Sequence, residues 1–352
     1  MDYNKYKTQF SAKAKNAGYS EDNISRCLAY AKPILEEGYP VIFNTTHLSS
    51  LVGYNKNYLK RAVAYQKYFY REFSITKKNG ELRTLREPLP SLKEIQSWIL
   101  NNILYKHEVS RYAKGYIPKR SIKDHAKYHT NELKVLTLDI KSFFDSISFG
   151  QVEAIFSNIG YSNIVSNLLA KLCFLEKNLP QGAPTSPCIS NILLLEFDNV
   201  ISAYCSEKKI KYTRYADDLA FSGDVKKTAL IKLVRSELKK LGLRLNNQKI
   251  KLMKQSQPQI ISGIIVNKKV QVPKKNRNKI RNEMFYIKKF GFQSHMEKTK
   301  QTKSNYLKHL IGRINYLLTL NPKDTEFLEY KKILYQLEST ADNSTQMSNR
   351  PS

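Results

Sequence analysis

Residues 134–147 read KVLTLDIKSFFDSI, and residues 211–223 read KYTRYADDLAFSG. In the first stretch Val135, Leu136, Leu138 and Ile140 form a short apolar run around Asp139, which predicts a buried strand leading into a loop. In the second, two short apolar runs flank Tyr215-Ala216-Asp217-Asp218, which predicts a strand, a bend carrying the acidic pair, and a second strand. A helical region separates the two stretches, so strands from distant segments can pair and bring Asp139 beside Asp217 and Asp218. Carboxylates held that close repel one another and are stable together only with cations between them. Oxygen-only donors with open positions suit Mg²⁺, which is held by one or two carboxylates plus substrate phosphates. Two such ions, roughly 3.5–4 Å apart, activate an attacking hydroxyl and stabilise a leaving pyrophosphate. A lone Asp at a strand end is ordinarily a turn residue or a helix cap, so the inference rests on the constellation.

Outward from this pair the chain alternates helical and extended patterns. Residues 1–70 read as helices: SEDNISRCLAYAKPILEEG opens on a Ser20–Asn23 cap and stops near Gly38, and HLSSLVGYNKNYLKRAVAY reads as a second helical stretch. YREFSITKKNGELRTLREP predicts a hairpin turning at Lys78-Asn79-Gly80. Leu92, Ile95, Ile99 and Ile103 then fall at helical spacing. Residues 150–177 read as helical, and PTSPCISNILLLEFDNVISAYC reads as one long helix entered through two prolines. ALIKLVRSELKKLGLRLN predicts an amphipathic helix closed by Gly242, followed by strands in KIKLM and QIISGIIVNKKVQV. From residue 274 the chain is helical and basic, and the polar residues 339–352 are expected to be a disordered tail. The fold class is α+β, a mixed body flanked by helical ends.

Lys and Arg number 59 against 30 Asp and Glu, a net charge of +29, and residues 268–332 alone hold 17 basic and 5 acidic side chains. So large a charge repels itself in a compact state, which points to a polyanionic partner. The 23 Tyr and 15 Phe offer flat apolar faces to unstacked bases, so charge and aromatics together suit a nucleic acid. The four cysteines are scattered without a C-x-x-C pair, which indicates neither a disulfide framework nor a zinc site. The polar opening MDYNKYKTQF is unlike a signal peptide, and no apolar run approaches the roughly 18–20 residues of a membrane span. The expectation is a cytoplasmic protein without a membrane partner.

The residues then show a resemblance. Tyr215-Ala216-Asp217-Asp218 resembles the YxDD box of reverse transcriptases, LTLDIKSFFDSI resembles the preceding palm motif, and LPQGAPTSP (179–187) resembles the LPQG-x-x-x-SP loop between them. The resemblance covers residues 70–270 firmly and the C-terminal helices loosely. It implies a right-hand polymerase fold: an N-terminal helical region (1–70), fingers (71–133), a palm (134–270, with fingers helices at about 150–178) and a basic helical thumb (271–338). It implies that Asp139 and Asp217 ligate both Mg²⁺ ions, helped by the Ile140 carbonyl, with Asp218 as a partly electrostatic third carboxylate. Phe144 stands where the family places a ring beneath the incoming sugar, selecting dNTPs over rNTPs; plain core packing is the other reading, and strand alternation makes Phe143 the better core candidate. Gln181 and Gly182 resemble the loop at the nascent base pair. Arg83, with Lys77 or Lys78, resembles the fingers residues that grip the triphosphate, and a solvated basic hairpin is the alternative. Lys249 occupies the place of a lysine that protonates pyrophosphate, or is an ordinary surface lysine. Lys274, Lys275 and Arg277 are the RNA-binding candidates of the thumb.

Two further stretches are similar to retron reverse transcriptases. His125-Ala126-x-x-His129 stands close to their NAxxH element, with His in place of Asn, and Ile261-Ser262-Gly263 stands where they carry Val-Thr-Gly. Read from spacing alone, His125 and His129 are one face of a helix. The retron resemblance implies an enzyme that copies part of its own structured non-coding RNA into single-stranded DNA from an internal guanosine 2′-OH. Such enzymes serve in antiphage defence, with an effector protein encoded nearby. Another bacterial defence reverse transcriptase and, in a different class, a catalytically silent RNA-binding scaffold are the alternatives.

Overall fold

In the computed structural model, which describes residues 2–76, 80, 82–300 and 305–348, the acidic stretches come together in one sheet. Strands β1 (Tyr70–Thr76) and β2 (Leu82–Pro88) form the expected hairpin. Strands β3 (Lys134–Asp139), β4 (Lys211–Tyr215), β5 (Asp218–Ser222) and β6 (Lys251–Lys254) make an antiparallel sheet in the order β4-β5-β3-β6. Strands β7 (Ile260–Ile261) and β8 (Ile264–Ile265) make a short second hairpin.

Both faces of the four-stranded sheet are covered, and strand alternation divides the side chains between them. Leu136 and Leu138 of β3 join Leu219 and Phe221 of β5 in the main core. Val135, Ala220 and Met253 point the other way, into a second core shared with the C-terminal helices. Into the main core pack α1 (Tyr3–Asn16), α2 (Glu21–Glu36), α3 (Thr45–Val52), α4 (Lys56–Ala64) and α5 (Pro90–Asn102). Ser20 caps α2 by accepting from the Asn23 amide, as the sequence predicts. Gly53, at φ 73°, separates α3 from α4, so the second N-terminal helical stretch is two helices rather than one. A short α6 (Ile122–Lys127), closed by a Ser121–Asp124 capping box, lies on the other face of the sheet.

After the acidic strand come α7 (Phe143–Ser146), α8 (Phe149–Ser157) and α9 (Asn163–Cys173). The helix expected after Pro187 is α10 (Ser186–Leu193) and α11 (Leu195–Glu207), bent by 49° at Leu194. That bend corrects the expectation of one long helix: Leu194 is fully buried, and each segment then presents its own apolar residues to the core. Then follow α12 (Lys227–Lys240), α13 (Lys274–Phe290), α14 (Phe292–Lys298), α15 (Tyr306–Leu320) and α16 (Thr325–Ser348). The tail expected to be disordered from 339 is helical as far as Ser348, because extending a helix adds a hydrogen bond per residue without a new nucleus. Among the described residues no single helix is long and apolar enough to cross a membrane; the bent pair α10–α11 passes a length and composition test only together, and much of it is buried in the core.

Candidate active site

The register of the sheet makes the site. Asp139, the last residue of β3, stands opposite Asp218, the first residue of β5. Asp217 lies in the turn between β4 and β5, and its carbonyl accepts from the Ile140 amide at 3.1 Å. Burial, then the charges of Asp218 and Asp139, raises the Asp217 carboxyl to about pKa 6. Asp218 is also pushed up, by burial first; the Ser262 hydroxyl, donating at 2.9 Å, works the other way, and Asp139 adds to the rise. The Lys249 ammonium donates to Asp139 Oδ2 at 2.6 Å. Burial opposes its charge, but the hydrogen bond and charge of Asp139, aided by Asp217 and Asp218, outweigh that and raise its pKa.

This donor set is made of oxygens, and burial followed by the charges of Asp218 and Asp139 pushes the Asp217 carboxyl up, which fits a hard divalent cation. Among the described residues no three or more His, Cys, Asp or Glu side chains are placed to hold a metal by themselves. The fit is therefore to an ion such as Mg²⁺ that takes part of its shell from substrate phosphates.

The turn is held from behind by groups far apart in sequence. Ala216 has φ 56°, a backbone conformation that costs a non-glycine residue energy. Its carbonyl accepts from Arg214 Nη1 at 3.1 Å, and the same nitrogen reaches Asn191 Oδ1 at 2.9 Å. Arg214 and its partner Asp198 are wholly buried, joined by three contacts of 2.7–3.1 Å, and Asp198 also accepts from the Tyr212 hydroxyl at 2.6 Å. Asn191 donates to the Gly115 carbonyl at 3.0 Å. A Cβ on Gly115 would lie 2.8 Å from the Ala216 nitrogen, so only glycine lets this loop close against the turn.

On the fingers side, Phe143 is buried in the core, whereas Phe144 is half-buried with its ring 6.4 Å from that of Tyr116. Tyr116 in turn lies 6.3 Å from Tyr215. Burial and then the charge of Asp217 push the Tyr116 phenol up, while the exposed Arg83 pulls it down, so Tyr116 feels both the fingers cation and the carboxylates. The Gln181 carbonyl accepts from the Arg86 amide of β2 at 2.8 Å, which ties the LPQG loop to the β1–β2 hairpin. Gly182, at φ 131°, sits so close that a Cβ would meet the Arg86 carbonyl oxygen at 2.8 Å. Lys77 and Lys78 lie outside the described residues. Sequence reasoning missed Tyr116, Arg214, Asp198 and Asn191; only the Arg214 next to the YADD box offered a signal.

A cavity of about 1080 Å³ runs from Asp139, Asp218 and Lys249 to Ser262 and Gly263 of the β7–β8 turn. His125 forms part of its wall. His125 Nδ1 and His129 Nε2 each lie 2.7 Å from Thr213 Oγ1, and His129 Nδ1 lies 2.7 Å from Ser222 Oγ. Both rings are buried, and burial keeps both neutral, His125 down to about pKa 3. The pair thus docks α6 and the residues after it on β4 and β5, where the small Thr213, Ala220 and Ser222 leave room. In the C-terminal helices Lys274 and Lys275 are exposed. Arg277 is not an open cation: its guanidinium pairs with Asp324 at 2.9 Å and lies over the Phe327 ring at 5.0 Å, fastening α13 to α16.

Residues 75–314 match the family model described as "Reverse transcriptase (RNA-dependent DNA polymerase)". The chain is 28% identical to the retron Ec86 reverse transcriptase of Escherichia coli, over 81% of this chain and 87% of that one. It is 31% identical to the retron Ec83 reverse transcriptase of Escherichia coli, over 74% of this chain and 86% of that one. It is also 31% identical to the retron Mx65 reverse transcriptase of Myxococcus xanthus, over 75% of this chain but only 64% of the relative.

Proposed function

Because the chain belongs to the reverse transcriptase family, as an RNA-directed DNA polymerase of the retron type, we propose that it copies part of its own structured non-coding RNA into single-stranded DNA. Synthesis begins at an internal guanosine 2′-OH, and the product serves antiphage defence together with an effector protein encoded nearby. The pairing of Asp139 with Asp218 across β3 and β5, with Asp217 in the adjoining turn, is the observation that supports the active-site reading. In this reading the fingers span 71–133, the palm 134–270 and the thumb 271–338.

Asp139 and Asp217, with the Ile140 carbonyl, would hold two Mg²⁺ ions, and Asp218 adds negative charge beside them. Bound there, Mg²⁺ supplies activation of the attacking hydroxyl and charge neutralisation on the leaving pyrophosphate. The protein does the rest by position. The Phe144 ring occupies the space a 2′-OH of the incoming nucleotide needs, so dNTPs enter and rNTPs collide. Arg83 and Lys77 grip the triphosphate, Arg by its planar fork and Lys as a point charge. Gln181 lies against the nascent base pair on a loop that the fingers hairpin holds through its backbone. In this reading Lys249, kept protonated beside Asp139, gives its proton to pyrophosphate. Lys274 and Lys275 hold an RNA stem by its backbone, as A-form helices require.

The priming chemistry is tested on DNA purified from cells expressing the gene with its flanking RNA locus. The DNA should remain joined to RNA through a 2′,5′ linkage, leaving after RNase a short ribonucleotide remnant that debranching enzyme removes. A free DNA 5′ end, or priming from a 3′-OH, would refute the retron priming and leave the polymerase standing.

A further inference from the structure

Helix α13 buries Ile280, Met284 and Ile287, a stripe at 3–4 spacing that satisfies its contact with the second core. Phe285, Tyr286 and Phe290 face outward instead, 57%, 43% and 51% exposed. Packing gives no reason for three large aromatics on that side, and exposed apolar clusters of this kind mark contact surfaces. Tyr286 and Phe290, one helical turn apart, lie nearly parallel at 22° with ring centroids 6.1 Å apart. Cations lie near them: the Lys289 ammonium is 5.3 Å from the Phe290 centroid and 5.7 Å from that of Phe285, and the Lys298 ammonium is 5.9 Å from the Phe290 centroid. Between α13 and α14 the two rings border a concavity of about 140 Å³, closed by Ser294, His295, Lys298 and Thr299. His295 is buried there and fixed by a 3.1 Å hydrogen bond to the Tyr306 hydroxyl.

We propose that this concavity is a stacking site for one unpaired base of a single-stranded RNA segment, apart from the catalytic carboxylates. The proposal rests on the reverse transcriptase reading and adds a contact to it. A flat apolar face flanked by ammonium groups matches a nucleotide, whose base is flat and whose phosphates lie to its sides. The space is well below the roughly 300–1,000 Å³ of a small-molecule pocket and suits a single planar ring. A second copy of this chain is disfavoured as the occupant by charge, since each copy carries +29. Duplex RNA keeps its bases stacked and is held by shape and backbone, so loops, bulges and single-stranded flanks are what such a site selects.

The test compares two labelled RNAs binding to the full-length protein: a stem with a single-stranded flank, and the same stem fully paired. Tyr286→Ala and Phe290→Ala should each weaken binding of the flanked RNA about 5- to 150-fold, the span expected for one base–aromatic stack. Binding of the paired stem should hold, Phe290→Trp should retain the affinity, and the salt dependence should keep its slope because no phosphate contact is lost. Lys289→Ala with Lys298→Ala should instead flatten that slope, by about 0.7 for each phosphate contact removed from a single strand. Equal losses on both RNAs, no loss on either, or a change in oligomeric state on Phe290→Ala would overturn the proposal. Incorporation of dNTPs by the unaltered enzyme on an annealed primer–template, measured in parallel, reports separately on the reverse transcriptase reading.

Discussion

Replacing Arg214 by Met removes the cation that joins the core to the catalytic turn. The substitution strands Asp198, which is wholly buried and, among the described residues, would keep only the Tyr212 hydroxyl as a side-chain donor. Breaking a buried pair by removing one partner costs about 3–5 kcal/mol, against a typical total stability of about 5–15 kcal/mol. Urea denaturation of Arg214→Met should therefore show a loss of that size, carried by the midpoint rather than the slope. Arg214→Met combined with Asp198→Asn removes the stranded charge and leaves an amide oxygen for Tyr212, so it should recover more than half of the lost stability. Activity should not follow. In both variants the Ala216 carbonyl has lost its 3.1 Å donor, and the turn carrying Asp217 and Asp218 is free to relax from its φ of 56°. Small displacements of reacting groups cost up to about 100-fold, so kcat for dNTP incorporation should fall about 10- to 100-fold with little change in KM. A single variant that loses less than about 1 kcal/mol, or a double variant with wild-type kcat, would refute this account of how the turn is held.

Two further outcomes follow from the site. Phe144→Ala should lower discrimination of dNTPs over rNTPs at least about tenfold in single-turnover incorporation, since bulk rather than a hydrogen bond excludes the 2′-OH; an unchanged ratio moves the selection elsewhere. Asp217, with its carboxyl raised to about 6, binds its proton more tightly in the folded than in the unfolded chain. Its contribution to metal-free stability is thus present at low pH and lost as pH rises from about 4 through about 6. Mg²⁺ relieves that loss by binding the ionised form, so the rise in Tm on adding Mg²⁺ should be small near pH 5 and grow above pH 6. Asp217→Asn should flatten the profile, and a Mg²⁺ effect independent of pH would contradict the assignment.

Much of this arrangement was legible because strand alternation and turn chemistry are local. The apolar run ending at Asp139 and the bend at Asp217 are read within a few residues, and Asp139 meets Asp218 in register because both strands end there. The helix at Leu92, Ile95 and Ile99 was equally plain from its spacing. What escaped depends on contacts between distant segments. Asp198 resembles any polar residue of a helix until Arg214 is folded against it, and Tyr116 gains meaning only when its loop meets Phe144 and Tyr215. Leu194 carries no breaking residue, so the bend between α10 and α11 comes from packing rather than propensity. At Arg277 the sequence shows a basic residue, but not that Asp324 and Phe327 engage its guanidinium. His125 and His129 lay at helical spacing, but their work is across the sheet, on Thr213 and Ser222.

The central claim is that Asp139, Asp217 and Asp218 form one metal-dependent polymerase site, and Asp217→Asn tests it most directly. The substitution keeps the size of the side chain and removes one ligand charge. Metal ligands act as a unit, so incorporation of dNTPs on a primed RNA template with Mg²⁺ should fall below detection. Affinity for the same template should stay within about twofold, because phosphate contacts elsewhere on the chain carry most of the binding. Incorporation by Asp217→Asn at near the wild-type rate, with template binding intact, would contradict the account.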